Sequence, residues 1–460
     1  MKDAVEIFKE LDLHGEKKLG EPDHDASPFI ITAKLTEPHK QNVNGCAFNQ
    51  YINAKDPQCV ATVGANNVSV YEVPKELNTL DLKMNFKIDP NEDLYTVCWC
   101  FDTYESEKQR CPYRIVAGGL LGVIYVFDPI KKRRTNVLEC SGNVIYDMRT
   151  SPANSNLVVV GTDDQAVRVF HIRNSTCLMV MGGMHGHNDE ILSVDWEPSG
   201  KYILSCGFDH QVVKWDISRP HLQGHLEDAT LALSQETMNI LTETTPVPRR
   251  DVDPPTIDEE WCKGIDRYNV NKASGEHQKT IADMWYKPNG CTYGIPFPSA
   301  LNNQTNWAYV DCVRALPSGG YYLTKQAGDE SYICLWRFGV PGSEHDFNWN
   351  PHTIDRNVVD LARAGVPAGL CWFTKFEIDP KCRWVAAGGI DGALAFFDLH
   401  DLETETPPYV LNLEPHVLRQ VSFSPCGRLL VVVGDNGLVT RMDRVSASTD
   451  TKTLQKFGQK

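Results

Sequence analysis

No stretch of this 460-residue chain is long and apolar enough to cross a bilayer, so no membrane partner is expected. Its first residues, MKDAVEIFKELDLHGEKK, lack the apolar centre of a secretion signal. The fifteen cysteines are odd in number and scattered, and read as reduced thiols of the cytosol or nucleus. Cys98 and Cys100 alternate on a strand and share one face. No second Cys or His pair stands at finger-like spacing, so they read as buried side chains and not as metal ligands. Phosphate-cradling G-x-x-x-x-G-K-S/T and G-x-G-x-x-G are missing, as are H-E-x-x-H and G-x-S-x-G. No catalytic, cofactor or metal site is therefore expected, and binding becomes the leading class of function. Basic residues are short as well: 45 Lys and Arg stand against 60 Asp and Glu, a formal charge of −15. That argues against contact with nucleic-acid phosphates and favours basic partners such as a Lys- and Arg-rich peptide, although charge of this size also simply keeps a chain soluble. The densest basic run, Lys131 to Arg134, reads as a solvated loop.

What is present is a repeat. The chain is 42% hydrophobic, enough for a substantial core. The clearest copy runs from Gly186 to Asp216. Gly186-His187 opens it, and an apolar run through Ile191, Leu192, Val194 and Trp196 follows. A turn at Pro198-Ser199-Gly200 leads to a second strand, Tyr202 to Cys206. A turn at Phe208-Asp209-His210 leads to a third strand ending in Trp215-Asp216. Period-2 patterning between such turns predicts an antiparallel meander. The Gly-His opening and Trp-Asp close mark a WD40 repeat, one blade of a β-propeller. His187, Ser205, Asp209 and Trp215 then form a structural hydrogen-bond chain, not a Ser/His/Asp catalytic site.

Seven copies can be aligned. Their third strands end at Tyr71, Phe127, Phe170, Trp215, Trp336, Phe397 and Met442. Their first strands are read at 46–48, 97–99, 147–149, 194–196, 312–314, 374–376 and 421–423. Most copies lie about 43–56 residues apart, as a four-stranded blade requires. Tight turns recur at 64–67, 119–122, 162–164, 328–329, 389–392 and 434–437, where Gly, Asn and Asp tolerate positive φ. The prediction is an all-β, seven-bladed WD40 propeller over 28–444. Its last blade lacks an outer strand, and the spare strand at Pro28–Leu35 closes the ring there. An N-terminal helix and linker are expected over 1–27, with Ala4, Ile7, Phe8 and Leu11 on one face. An excursion of about 218–305, with one helix and flexible parts, is expected between blades four and five. A disordered tail is expected over 445–460.

Several segments resemble one family among WD40 proteins. They are Ala61–Asn67, Tyr95–Trp99, Met181–Ser193, Ser205–His210, Ile295–Pro298, Tyr309–Arg314 and Arg419–Ser424. Tyr-Val-Asp-Cys-Val-Arg at 309–314 is the most specific. The chain resembles the Extra sex combs / embryonic ectoderm development family of Polycomb proteins, and looks like a divergent member similar to its nematode representative. The resemblance implies a non-catalytic nuclear subunit of a Polycomb repressive histone methyltransferase. Implied partners are the SET-domain catalytic subunit, other Polycomb subunits and the histone H3 tail. It also implies an aromatic cage for trimethyl-lysine, with walls at Tyr95, Trp372 and Phe373. The fourth wall aligns with Asn44, which has no π face. Arg419 and Arg314 would stand at the peptide rim. The alternative on the same fold is a substrate receptor or hub of a ubiquitin ligase; a propeller hydrolase is a third class, for which no convergent acids or metal ligands are seen.

Overall fold

The computed structural model describes residues 27–445 apart from 54, 75–77, 103–111, 183–185, 228–308, 328–331, 339–357, 366–372 and 400–407. Within 228–308 only the backbone of 285–286 and 295–296 is described, and the side chains of 332, 337–338 and 358–365 are left aside. The expected N-terminal helix, the tail beyond 445, most of the excursion and Trp372 lie outside the described residues.

Seven sheets form from strands of period-2 character, and four of them take consecutive strands in simple chain order. Blade one holds Gly45–Phe48, Gln58–Gly64, Asn67–Val73 and Asp81–Lys87. Blade two holds Leu94–Phe101, Tyr113–Gly119, Val123–Asp128 and Arg133–Glu139. Blade three holds Ile145–Thr150, Leu157–Thr162, Val167–His171 and Thr176–Met181. Blade four is Ile191–Trp196, Tyr202–Gly207, Gln211–Asp216 and Ile295–Pro296. Blade five is Tyr309–Ala315, Tyr321–Ala327, Tyr332–Phe338 and Val358–Gly365. Blade six is Glu377–Ile378, Trp384–Gly388, Ala393–Asp398 and Tyr409–Asn412. Blade seven is Leu418–Phe423, Leu429–Gly434 and Leu438–Arg444, and its outer strand is Phe29–Thr36 from the other end of the chain.

The cores lie between blades. Each sheet is apolar on both faces, so it buries one against each neighbour. Trp99 and Ile115 of blade two meet Val63 and Val70 of blade one. Leu429, Val431 and Val433 of blade seven meet Phe48, Val60 and Tyr71 of blade one, which closes the ring. Indole N–H groups tie inner strands across these seams. Trp99 donates to the Ala47 carbonyl at 2.9 Å, and Trp196 to that of Arg149 at 3.0 Å.

Blade four carries the hydrogen-bond chain its sequence calls for. His187 Nδ1 lies 2.8 Å from Asp209 Oδ2, His187 Nε2 lies 2.7 Å from Ser205 Oγ, and Trp215 Nε1 donates to Ser205 Oγ at 2.8 Å. The drifted blades fill that place differently. In blade one, buried Glu37 accepts from Thr62 (2.6 Å) and Ser69 (2.9 Å). In blade three, Arg168 bridges Thr162 and Asp164.

Three expectations need correction. The excursion lies inside blade four, because Ile295–Pro296 pairs with Gln211 and Val212 as its outer strand. Its Trp285–Tyr286 adds a parallel fifth strand to blade three. The first strand of blade six begins at Glu377 and not at Thr374, since the Lys375 N–H bonds the Arg419 carbonyl of blade seven. Positive φ at the turns falls on Gly122, Gly392 and Asn436 as expected, but also on Ala65, Gln165 and His210. At Gly392 (φ +83°) a Cβ would lie 1.6 Å from the Glu414 carbonyl oxygen, so no other residue fits.

One buried group links this fold to pH. His171 ends the third strand of blade three, where its Nδ1 accepts the Asn174 N–H at 3.2 Å. Burial, with Arg173 nearby, holds its imidazole down at about 4. The unfolded chain takes up that proton near pH 6.5 and the fold resists it, so stability falls as pH drops from 6.5 to 4. The expected loss is about 3 kcal/mol. Urea unfolding at pH 7.5, 5.5 and 4 measures it. His171→Asn keeps an acceptor for the Asn174 N–H and should flatten the dependence; an unchanged slope would assign it to other groups.

Candidate functional site: an aromatic mouth on a charged channel

Register along the first strands decides what faces the ring axis. Thr96, Asp147, Ser193, Cys312 and Gln420 pair with Gly118, Gly161, Cys206, Lys325 and Val433, and so stand on equivalent rungs. Immediately before each rung the ladder skips one residue: Tyr95, Tyr146, Leu192, Asp311 and Arg419. These are β-bulges, which re-aim a side chain out of the pleat. Repeated around the ring, they set five side chains at equivalent positions.

Two residues further along each strand, period-2 alternation presents Cys98, Arg149, Asp195 and Arg314. Glu377 of blade six joins this layer. Arg149 reaches Glu377 at 2.8 Å from blade three. Arg314 lies 3.5 Å from Glu377 and 3.7 Å from Asp147, and donates to Ser193 Oγ (3.1 Å) and the Val313 carbonyl (2.7 Å). Lys375 bridges Asp147 Oδ1 (2.9 Å) and the Tyr146 carbonyl (2.9 Å). Lys325 bridges Asp311 (2.8 Å) and Thr374 (2.6 Å). Burial pushes the Asp195 carboxyl up to about 7, against the pull of the Arg149 guanidinium and a 2.8 Å bond from the Ala315 N–H. Cations and carboxylates thus alternate in a packed ionic layer beneath the mouth.

Arg314 is therefore not a rim residue: it is 2% exposed and sits inside this layer. The first strands read at 147–149 and 312–314 lie one residue out of register with those read at 97–99 and 194–196. Blades three and five end this rung in Thr150 and Ala315 where blades two and four have Trp99 and Trp196. The same slip hid Tyr146, whose rung matches that of Tyr95.

Above this layer the Tyr95 and Phe373 rings meet edge to face with centroids 5.2 Å apart, in a cluster where Phe373 is 5% and Tyr146 8% exposed. Tyr146 lies nearly parallel to Tyr95 at 6.1 Å and is 6.5 Å from Phe373. Leu192 and Val144 pack against this triad, with Phe208 and Tyr309, themselves 4.8 Å apart, alongside. Phe373 adopts φ +69°, a costly conformation for an aromatic residue that the packing maintains. Lys375 Nζ stands 5.0 Å from its ring centroid, so part of that ring already meets an internal ammonium. Tyr95 is seated by Gly45, where a Cβ would lie 2.9 Å from the Tyr95 carbonyl oxygen.

Asn44 forms a seam and not a ring face. It is 5% exposed, and its Nδ2 donates to the Leu94 carbonyl (2.9 Å) and to Asp93 Oδ1 (3.3 Å), tying blade one to blade two. Arg419 forks onto Asp435 at 2.7 and 3.1 Å. Tyr146 Oη bonds Glu190 Oε2 at 2.6 Å. Of the expected site residues, Tyr95 and Phe373 are in ring contact, Asn44 and Arg419 make the polar contacts just described, and Trp372 falls outside the described residues. Cys98 and Cys100 are buried. Among the described residues no group of three or more His, Cys, Asp or Glu is placed to hold a metal ion.

The WD domain, G-beta repeat family matches residues 175–216. The chain is 41% identical to the Polycomb protein mes-6 of Caenorhabditis elegans, over 98% of this chain and 99% of that one. It is 26% identical to the Polycomb protein esc of Drosophila melanogaster, over 89% and 83%. Among solved structures its fold is similar to a chain of the Chaetomium thermophilum polycomb repressive complex 2, at 16% identity and TM-score 0.64, covering 91% of this chain and 98% of that one. A further structure of that complex, with trimethylated histone H3, contains a chain of TM-score 0.65 to this one at 16% identity, covering 93% and 99%.

Proposed function

The chain belongs to the Polycomb WD40 family of mes-6 and esc, and on that footing we propose that it is the non-catalytic propeller subunit of a nuclear, polycomb repressive complex 2-like histone H3 lysine methyltransferase. It holds the SET-domain catalytic subunit and its companion subunits, and reads a methylated lysine, the trimethylated form in the first instance, on the H3 tail. The observation that carries this is the full-length relationship to mes-6. The fold shared with a chain of the fungal complex supports the scaffold role, and its structure with trimethylated histone H3 supports the reading role.

The physical case for reading rests on Tyr95, Tyr146 and Phe373 in one cluster. Aromatic faces attract a methylated ammonium by about 0.5–2 kcal/mol per good contact. The chain's charge of −15 suits a basic tail. The case against catalysis is burial: Ser205 is 0% and His187 2% exposed, so no substrate reaches that Ser-His-Asp set.

The test is a single pull-down from nuclei with tagged chain, paired with peptide binding. The unaltered chain should recover a SET-domain methyltransferase and bind a methylated H3 peptide. Phe373→Ala should still recover the methyltransferase and bind the peptide at least about tenfold more weakly. Recovery of a cullin-type scaffold in place of the methyltransferase would overturn the proposal.

A further inference from the structure

We propose that the outer edge of blade two, from Ile130 to Glu139, is a docking strip for an acidic, extended segment of a partner chain, which adds to that edge as a further strand.

Charge points there first. Lys131, Lys132, Arg133 and Arg134 are consecutive and all exposed, on a chain whose formal charge is −15. Lys131 stands 3.6 Å from Asp128, and the other three make no ion pair among the described residues. The run leaves a turn held in one conformation. Fully buried Asp128 accepts the Ile130 N–H at 3.0 Å and the Lys131 N–H at 2.8 Å on one carboxylate oxygen. Its other oxygen lies 3.7 Å from Arg114 Nη1. A preformed turn spares a ligand the cost of ordering it. Ile130 at the turn is 66% exposed and Val137 on the strand 45%, so apolar surface accompanies the cations.

Main-chain geometry points there independently. Among the described residues Arg133–Glu139 is the last strand of its sheet, with no strand on its outer side. The Cys140 N–H bonds the Gly122 carbonyl at 3.1 Å, so alternation turns the Leu138 N–H inward and those of Val137 and Glu139 outward. Outward-facing Val137 N–H meets the side chain of Asn136 at 3.2 Å, an exposed contact that a ligand carbonyl can replace. This ring already fills such edges: Trp285–Tyr286 lies along the outer strand of blade three, and Phe29–Thr36 completes blade seven. Blade one's outer strand, Asp81–Lys87, is open too, but it begins on an acid and its Lys83 is engaged by Glu72 at 3.3 Å.

An extended peptide supplies the alternating donors and acceptors that a sheet edge takes. Its carboxylates would meet the four cations, and its apolar side chains Ile130 and Val137. Nucleic-acid phosphates offer no main-chain donors, and the overall charge opposes a long polyanion. A basic histone tail is repelled here, so the strip faces a different chain.

Fluorescence anisotropy of the full chain tests this with three labelled probes: a short peptide alternating Glu and Val, its counterpart alternating Glu and Pro, and a short oligothymidine. The Glu-Val peptide should bind at least about fivefold tighter than the Glu-Pro peptide, which has the same charge but lacks half the N–H donors. Arg133→Glu/Arg134→Glu should weaken it about tenfold. Val137→Pro removes an outward N–H, a change that edge strands accept, and should weaken it about fivefold. Either variant serves if the other does not fold. Equal or tighter binding of the Glu-Pro peptide or the oligothymidine would overturn the assigned occupant. Unchanged binding by the charge-reversed chain would overturn the strip, and unchanged binding by Val137→Pro would overturn strand addition. Binding of none of the probes would overturn the inference.

Discussion

Deleting Phe29–Thr36 is expected to convert a soluble propeller into an aggregating chain. That strand pairs along its length with Leu438–Arg444, from the opposite end of the sequence. Without it, Leu438–Arg444 becomes an unpaired edge that can pair with another molecule. The loss is also hydrophobic. Phe29 is fully buried, stacked on Phe396 at 5.3 Å and tilted against Phe423 at 5.7 Å. Phe29→Ala alone should cost about 3–5 kcal/mol, a large part of the net stability of an ordinary domain. Urea unfolding gives the second value and light scattering the first. A monodisperse deletion product, or a Phe29→Ala cost below about 1 kcal/mol, would show that blade seven closes without this strand.

Asp147→Ala should destabilise the fold by about 3–5 kcal/mol, although it removes no apolar contact. Asp147 is fully buried. It accepts from Ser193 Oγ at 2.8 Å and the Val194 N–H at 3.2 Å, and meets Lys375 at 2.9 Å and Arg314 at 3.7 Å. Removing it strands the buried Lys375 ammonium and takes from Arg314 one of its two carboxylate neighbours. Lys375 also anchors the Tyr146 carbonyl and stands beside Phe373, so the aromatic mouth should loosen with the layer below it. Urea unfolding of Asp147→Ala beside Asp147→Ala/Lys375→Met measures this. The double variant removes one stranded charge and should recover part of the loss. If the single change is nearly neutral, the ionic layer is not what holds the inner strands in place.

Much of this protein was readable from local pattern. Period-2 apolar runs between Gly, Pro and Asp turns specify strands because alternation and turn chemistry act over a few residues. The His187–Ser205–Asp209–Trp215 chain was readable for the same reason: its members belong to one blade. Closure by the N-terminal strand followed from counting strands, because a ring with one short blade must be completed by its other end. The family, too, was carried by short contiguous strings such as Tyr309–Arg314.

What only the tertiary structure decided depends on register between strands. A bulge is a mismatch of one residue between neighbours, and nothing in a single strand announces it. Blades three and five lack the terminal aromatic that marks the rung, so Tyr146 is not legible in its own strand; Arg314, at the rim by resemblance, is buried in the ionic layer. Asn44 reads from sequence as a missing cage wall; the fold makes it a seam whose amide donates to Asp93 and the Leu94 carbonyl. The ionic layer joins residues from four blades, each an ordinary polar side chain in its own segment. Sequence alone therefore determined the blades, their number, their closure and their family, which are set by neighbours in the chain. The contents of the channel were decided by the ring, since they are set by neighbours across the axis.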